Sequence, residues 1–232
     1  AAQLSIIDIR TLCHMVVAVS LDARSIRCLF PRPPRLQYGP SNIGGVVNYL
    51  TKTPEQGFKL SAKAGNYGYQ LAQIEAGGKS DSNGAIAGVN IIKSESNGYQ
   101  DNGYKMNDIL FKGGVSINSD QWLSLKYTHY DNNINTSYVG LRPNQYASKL
   151  TSNPAPNDYF VTQRNAVDIN HSWEISPHTK VNTLLYWSKL ERDYWRQSIS
   201  ARNADKTVFN ACDGSVNCMF GRNREFQMLG ID

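Results

Sequence analysis

No stretch of this 232-residue sequence holds the run of about 18 or more apolar residues that a membrane helix needs, and the mean hydropathy is negative. A spanning protein of this composition has to cross with strands, whose alternating faces average out in hydropathy. Charge is thin as well. The formal balance of +5 comes from Lys and Arg scattered singly. There is no basic helix and no stacked RNP-type aromatic motif, so nucleic acid is not expected as a partner. Those cations suit an anionic small ligand or lipopolysaccharide phosphates equally well. Histidine is scarce: His14, His129, His171 and His178 fall on separate predicted strands or turns. No Ser-His-Asp or Cys-His constellation assembles from them, and neither catalysis, a cofactor nor a bound metal is expected. The sequence does not begin with Met, shows no signal peptide, and stops on FQMLGID in the middle of a strand-like pattern, so both ends read as cut.

Cysteine is sparse and split between two settings. Cys13 and Cys28 lie in an atypical N-terminal segment, while Cys212 and Cys218 enclose the short polar stretch DGSVN. That spacing is not a metal-site spacing and has no nearby His. A loop disulfide in an extracytoplasmic compartment is the better reading, with two unrelated free thiols as the alternative.

Tyrosine (13) and glycine (18) are plentiful, and from residue 57 onward apolar and polar residues alternate in runs of about ten, the length of a tilted membrane strand. Phe58, Leu60, Ala62 and Ala64 oppose Lys59, Ser61 and Lys63; Leu123, Leu125 and Tyr127 oppose Ser124, Lys126 and Thr128. Val167, Ile169, Trp173 and Ile175 oppose Asp168, Asn170, Ser172 and Glu174, and Val181, Leu185 and Trp187 oppose Lys180, Asn182 and Ser188. Leu71, Ile86, Ile92, Leu110 and Leu184 break the pattern by landing on the polar side. Alternation of this kind also fits a soluble β-sandwich with one wet face. The connections favour a barrel: short turns at 79–84, 118–121 and 176–179 alternate with longer polar links at 95–108, after Tyr130 and after Leu190. An up-and-down membrane barrel sorts its loops in this way. Tyr127, Tyr130, Tyr159, Phe160, Trp173, Tyr186, Trp187, Tyr194 and Trp195 are placed at or near predicted strand ends, where interfacial girdles belong.

Residues 1–36 are apolar without a clean period of 2 or 3.6, leaving a buried strand, a helix pair or meaningless sequence open. Asp8, Arg10 and His14 argue against a spanning helix there. In YGPSNIGGVVNYLTKTP (38–54), Gly39-Pro40 and Gly44-Gly45 allow tight turns, VVNYL supplies a short β-branched strand, and Pro54 stops it.

The same string resembles the end of the plug domain in TonB-dependent outer-membrane receptors, with Tyr38, Gly39, Pro40, Gly44, Gly45 and Asn48 carrying the plug-exit motif. The resemblance implies an all-β fold: a partial antiparallel transmembrane barrel, roughly the first 7–8 of 22 strands, preceded by the end of a plug. It divides the chain into an irregular remnant (1–37, out of frame or truncated), the plug end (38–55) and the N-terminal part of the barrel (56–232). YVGLRPNQY (138–146), DYFVTQRN (158–165) and GRNREFQMLGID (221–232) are most similar to the ferric citrate receptors. The implied function is binding of ferric citrate or another ferric siderophore and TonB-energised import into the periplasm. The implied surroundings are lipid of a Gram-negative outer membrane. A passive porin or adhesin barrel and a soluble carbohydrate-binding sandwich are the rival readings; the plug-exit motif disfavours the first. Residues 1–36 depart from the family pattern, and with them goes the TonB box, so the chain as given is expected to be uncoupled. Carboxylates on a ferric chelate call for guanidinium forks and amide donors. The candidates, all in predicted extracellular loops, are Arg142, Gln145, Arg164, Arg192, Arg196 and Arg202.

Overall fold

The computed structural model describes residues 24–29, 46–52, 55–82, 84–136, 143–148, 153, 156–197 and 219–231. The chain divides into two units, Ala1–Thr53 and Pro54–Asp232. In the first, strand β1 (Arg24–Leu29) pairs antiparallel with β2 (Val46–Thr51), Asn48 standing opposite Arg27. Within the N-terminal segment without a clean period, the described residues 24–29 form a strand paired with the VVNYLT run.

Among its described residues the second unit forms one antiparallel sheet of eight strands in sequence order. These are β3 (Gly57–Ala64), β4 (Gln70–Lys79), β5 (Ile86–Ser96), β6 (Tyr104–Asn118), β7 (Gln121–Ile134), β8 (Tyr159–Ser176), β9 (Thr179–Gln197) and β10 (Met219–Ile231). One short helix, α1 (Pro143–Ala147), lies between β7 and β8. This is the all-β, up-and-down meander that the alternation and the sorting of short and long connections imply together. The short turns fall where the sequence put them. Asn118 and Gln121 close one two-residue hairpin, with Asn118 Oδ1 accepting from the Asp120 amide at 3.0 Å, and Ser176 and Thr179 close another around Pro177-His178. A further tight turn, not marked in the sequence reading, joins β3 to β4: the Tyr69 amide donates to the Asn66 carbonyl (3.2 Å), with Tyr67 and Gly68 both at positive φ (59° and 65°). Two successive positive φ values define a type I′ turn, whose twist matches the strands it joins. A β-carbon at Gly68 would also meet the Asn97 side chain at 2.6 Å.

Strand length departs from expectation. A membrane strand needs about 9–11 residues, but β7, β8 and β9 run for 14, 18 and 19. The ladder continues past the alternating block because its hydrogen bonds are made by the backbone and do not require apolar side chains. The links after Tyr130 and Leu190 are shorter than read, and mid-strand aromatics such as Tyr127, Tyr186 and Trp187 no longer mark strand ends.

Register sorts the side chains. Rows such as Ile74–Ile91–Ile109, Phe111–Tyr127–Val167–Trp187–Leu229 and Leu125–Ile169–Leu185–Ile231 fall on one face, the apolar face. Leu123 and Val181 share it. This face is the exposed one: Leu125 is 40 % and Leu185 44 % accessible, whereas among the described residues only Leu110 (6 %) and Ala166 (3 %) are buried apolar side chains, both on the polar face. A water-soluble sheet would show the reverse. The apolar band is interrupted at His171, whose Nε2 meets Gln121 Oε1 at 3.0 Å.

Candidate functional site on the polar face

Across β7 to β10 the band ends on the row of Tyr127 and Trp187. One row nearer the long links, the same face turns polar: Tyr127 donates its hydroxyl to Asn165 Oδ1 (3.2 Å), His129 Nδ1 meets that oxygen at 2.8 Å, and Asn107 Nδ2 donates to both Asp131 carboxylate oxygens (3.0 and 3.1 Å). Further along β9 and β10, Lys189 reaches Glu191 (2.6 Å) and Glu225 (3.4 Å). Amphipathic aromatics at an apolar limit, followed by a hydrogen-bonded polar zone, form the profile of a membrane interface. Trp173, near the short-turn end of β8, stands at the opposite limit.

The polar face is built differently in its two halves. Across β4 to β6 its groups satisfy one another: Gln73 Nε2 donates to Asn90 Oδ1 (3.0 Å), and the Ser94 hydroxyl donates to the Gln70 carbonyl (3.1 Å) while meeting the Tyr104 hydroxyl at 2.9 Å. Lower down, Lys126 of β7 forms an ion pair with Asp168 of β8. Nearer the long links, β8, β9 and β10 present arginine instead. Arg164 on β8 and Arg192 and Arg196 on β9 share this face with Arg222 and Arg224 on β10, because Arg192 stands opposite both Thr162 and Arg224, and Tyr194 opposite both Phe160 and Arg222. Between Asp168 and the long-link ends, no acidic residue of β8, β9 or β10 lies on this face; along the Arg164 row the nearest is Asp108, two strands away on β6. The acids of β9 and β10, Glu191, Asp193 and Glu225, face the other way.

Arg192 is held by aromatic rings, its guanidinium carbon 6.0 Å from the Phe160 centroid and 5.8 Å from that of Phe226. Such contacts are worth about 0.5–1 kcal/mol at exposed sites and leave N–H donors for another partner. Like charges directly opposite on a sheet destabilise it by a few tenths of a kcal/mol to about 1 kcal/mol. The Arg192–Arg224 pair is therefore an arrangement that folding alone does not favour.

Of the sequence candidates, Arg164, Arg192 and Arg196 come together here, although on strands and not in loops as expected, because β8 and β9 outrun their apolar segments. The Gln145 backbone lies in α1, its side chain outside what is described, and Arg142 and Arg202 lie outside the described residues. So do Cys212, Cys218, Tyr38, Gly39, Pro40, Gly44 and Gly45. Arg222 and Arg224 were missed: GRNREFQ alternates basic with other residues at period 2, and that signal alone places both on one face of a strand. Among the described residues no three His, Cys, Asp or Glu side chains converge as metal ligands.

Several solved structures share this fold. The siderophore receptor PiuA from Acinetobacter baumannii matches with a TM-score of 0.58 at 14% identity, covering 73% of this chain and 26% of its own. The ferric-catecholate import receptor Fiu from E. coli K12, in its open form, matches at 0.61 and 15%, covering 86% and 33%. The ferric citrate transporter FecA in its unliganded form matches at 0.60 and 17%, covering 70% and 26%. The fold is that of part of the β-barrel in these structures. The chain spans about a quarter to a third of the length of these proteins. No family model and no curated protein sequence matches it.

Proposed function

We propose that this chain is wall and plug exit of a TonB-dependent outer-membrane receptor of a Gram-negative bacterium, which binds a ferric chelate on the arginine-bearing face and admits it to the periplasm. The observation that carries this reading is the inverted sheet: an exposed apolar band on one face, backed by a polar face that ends in arginine. Such a sheet suits lipid on one side and a ligand passage on the other. A soluble sandwich needs a second sheet over its apolar face, and the second unit has one sheet only among its described residues.

Ferric citrate is the favoured ligand, on the YVGLRPNQY and DYFVTQRN likeness and on the match between carboxylates and Arg164, Arg192 and Arg196, with Arg142, Gln145 and Arg202 as further contacts. Tyr38 to Asn48 form the plug exit, and Cys212 and Cys218 are joined as a loop disulfide, which nonreducing mass spectrometry of the mature protein checks. No catalytic step is assigned.

The test is ligand titration of the full-length protein, together with uptake of radiolabelled iron in cells with and without a working TonB complex. Ferric citrate should bind in both and enter only with TonB. Binding of a ferric catecholate with no response to ferric citrate would overturn the ligand and keep the receptor; indifference to every ferric chelate would overturn both.

A further inference from the structure

Resting on the reading that the polar face lines the ligand passage, we propose that Arg222 and Arg224 of β10 join Arg192 and Arg164 in one wall-mounted site for a compact ligand that presents several anionic oxygens at once. Arg224 is directly opposite Arg192, Arg222 stands one row nearer the long-link end, and Arg164 lies one row further down, opposite Leu190, which in turn faces Phe226. With neighbouring strands roughly 4.8 Å apart and same-face residues roughly 6.7 Å apart along a strand, the four guanidinium groups spring from a patch about 10 Å by 13 Å. A small polycarboxylate or its ferric complex fits that span, and several forks can engage it together.

The donors are also partly arranged in advance. Arg192 is flanked by the rings of Phe160 and Phe226, and Arg164 spends its Nε on the Ser188 hydroxyl at 3.2 Å, leaving its terminal nitrogens. Neutralising carboxylates exist one residue away, at Glu191, Asp193 and Glu225, but the pleat turns each to the opposite face, where Lys189 bonds Glu191 and Glu225. Sequence-adjacent acids and arginines are thus kept apart, and the negative charge that would balance Arg192 and Arg224 has to come from outside these strands. A ligand with several anionic oxygens gains from each fork, a singly charged one from a single fork, and an uncharged chelate from none.

The full-length protein in detergent would be titrated with ferric citrate, iron-free citrate, inorganic phosphate and an uncharged ferric trihydroxamate. The variants are Arg222→Gln, Arg224→Gln, Arg224→Lys and, on the opposite face of β10, Asn223→Gln. Each Arg→Gln change should weaken ferric citrate about tenfold or more. Arg224→Lys should keep part of the affinity, since it retains charge without the fork and guards against a folding artefact. Asn223→Gln should change nothing, and the trihydroxamate should be indifferent to all four. Unchanged ferric citrate affinity in both Gln variants would overturn the inference and leave the receptor reading intact. Iron-free citrate or phosphate binding as tightly as ferric citrate, with the same dependence on Arg222 and Arg224, would keep the anion site and sink the ferric-chelate reading. A wild type that binds only the uncharged chelate, or none of the four, would overturn the anion site; the receptor reading falls with it only where a ferric catecholate also fails to bind.

Discussion

The two halves of the eight-stranded sheet solve opposite problems with the same backbone ladder. In the half nearer the short turns, Leu125, Ile169 and Leu185 line one face while Lys126 and Asp168 pair on the other, so charge is closed on itself behind an apolar skin. In the half nearer the long links both faces are polar, and on β8 to β10 their charges are segregated: Lys189 with Glu191 and Glu225 on one side, Arg164, Arg192, Arg222 and Arg224 on the other. Strand pairing is indifferent to this change, since the backbone satisfies itself in either setting. What differs is the medium each half is fit for. The first suits a bilayer, where unpaired charge is costly; the second suits water, where an uncompensated guanidinium costs little and is available to a ligand.

The contrast can be broken most severely on the apolar face. Leu125→Arg should destabilise the full-length protein by about 2–4 kcal/mol if the site lies near the bilayer midplane. Asn223→Arg, on the same face in the polar half, should stay within about 0.5 kcal/mol. Urea unfolding in lipid vesicles reads both, and equal costs would erase the distinction between the halves. Behind the apolar skin, Asp168→Ala strands the partly buried Lys126 ammonium without its carboxylate and should cost about 1–3 kcal/mol in the same assay. The smallest effect has the opposite sign. Arg224→Gln removes a like charge opposite Arg192 and should leave stability unchanged or raise it by up to about 1 kcal/mol, even as anion binding falls. A loss of several kcal/mol there would mean that the arginines hold the sheet together and are not reserved for a ligand.

Much of the apolar half was legible in the sequence, because period-2 hydropathy is a direct image of a pleated strand with unlike media on its two faces. Leu123, Leu125, Val167, Ile169, Val181 and Leu185 all lie on the face assigned to them, and the misfits Leu71, Ile86, Ile92, Leu110 and Leu184 lie on the polar face as read. The polar half was not legible in that way. Once both faces are wet, alternation of hydropathy vanishes, so the long-link ends of β7 and β9 read as loop, Arg192 and Arg196 with them, and Arg164, in the strand entry DYFVTQRN, reads as a loop candidate too. Arg222 and Arg224 were hidden for a related reason: their partners Tyr194 and Arg192 are some thirty residues away in sequence, and only the register brings the guanidinium groups to one place. The β3–β4 turn escaped notice because Tyr67 occupies a positive-φ position usually given to Gly or Asn.

On the proposed reading the exposed apolar face meets lipid while the arginine-bearing face meets water and ligand. Spin labels attached to Leu125→Cys, Ile169→Cys and Leu185→Cys, and to Ser124→Cys, Ala166→Cys and Ser188→Cys on the opposite face, test it in the full-length protein reconstituted into vesicles. Relaxation by lipid-soluble oxygen and by a water-soluble nickel chelate should divide the six cleanly: oxygen for 125, 169 and 185, with little effect of nickel, and weak oxygen relaxation for 124, 166 and 188. Equal oxygen accessibility of the two sets, or strong nickel relaxation at 125 and 185, would contradict the account.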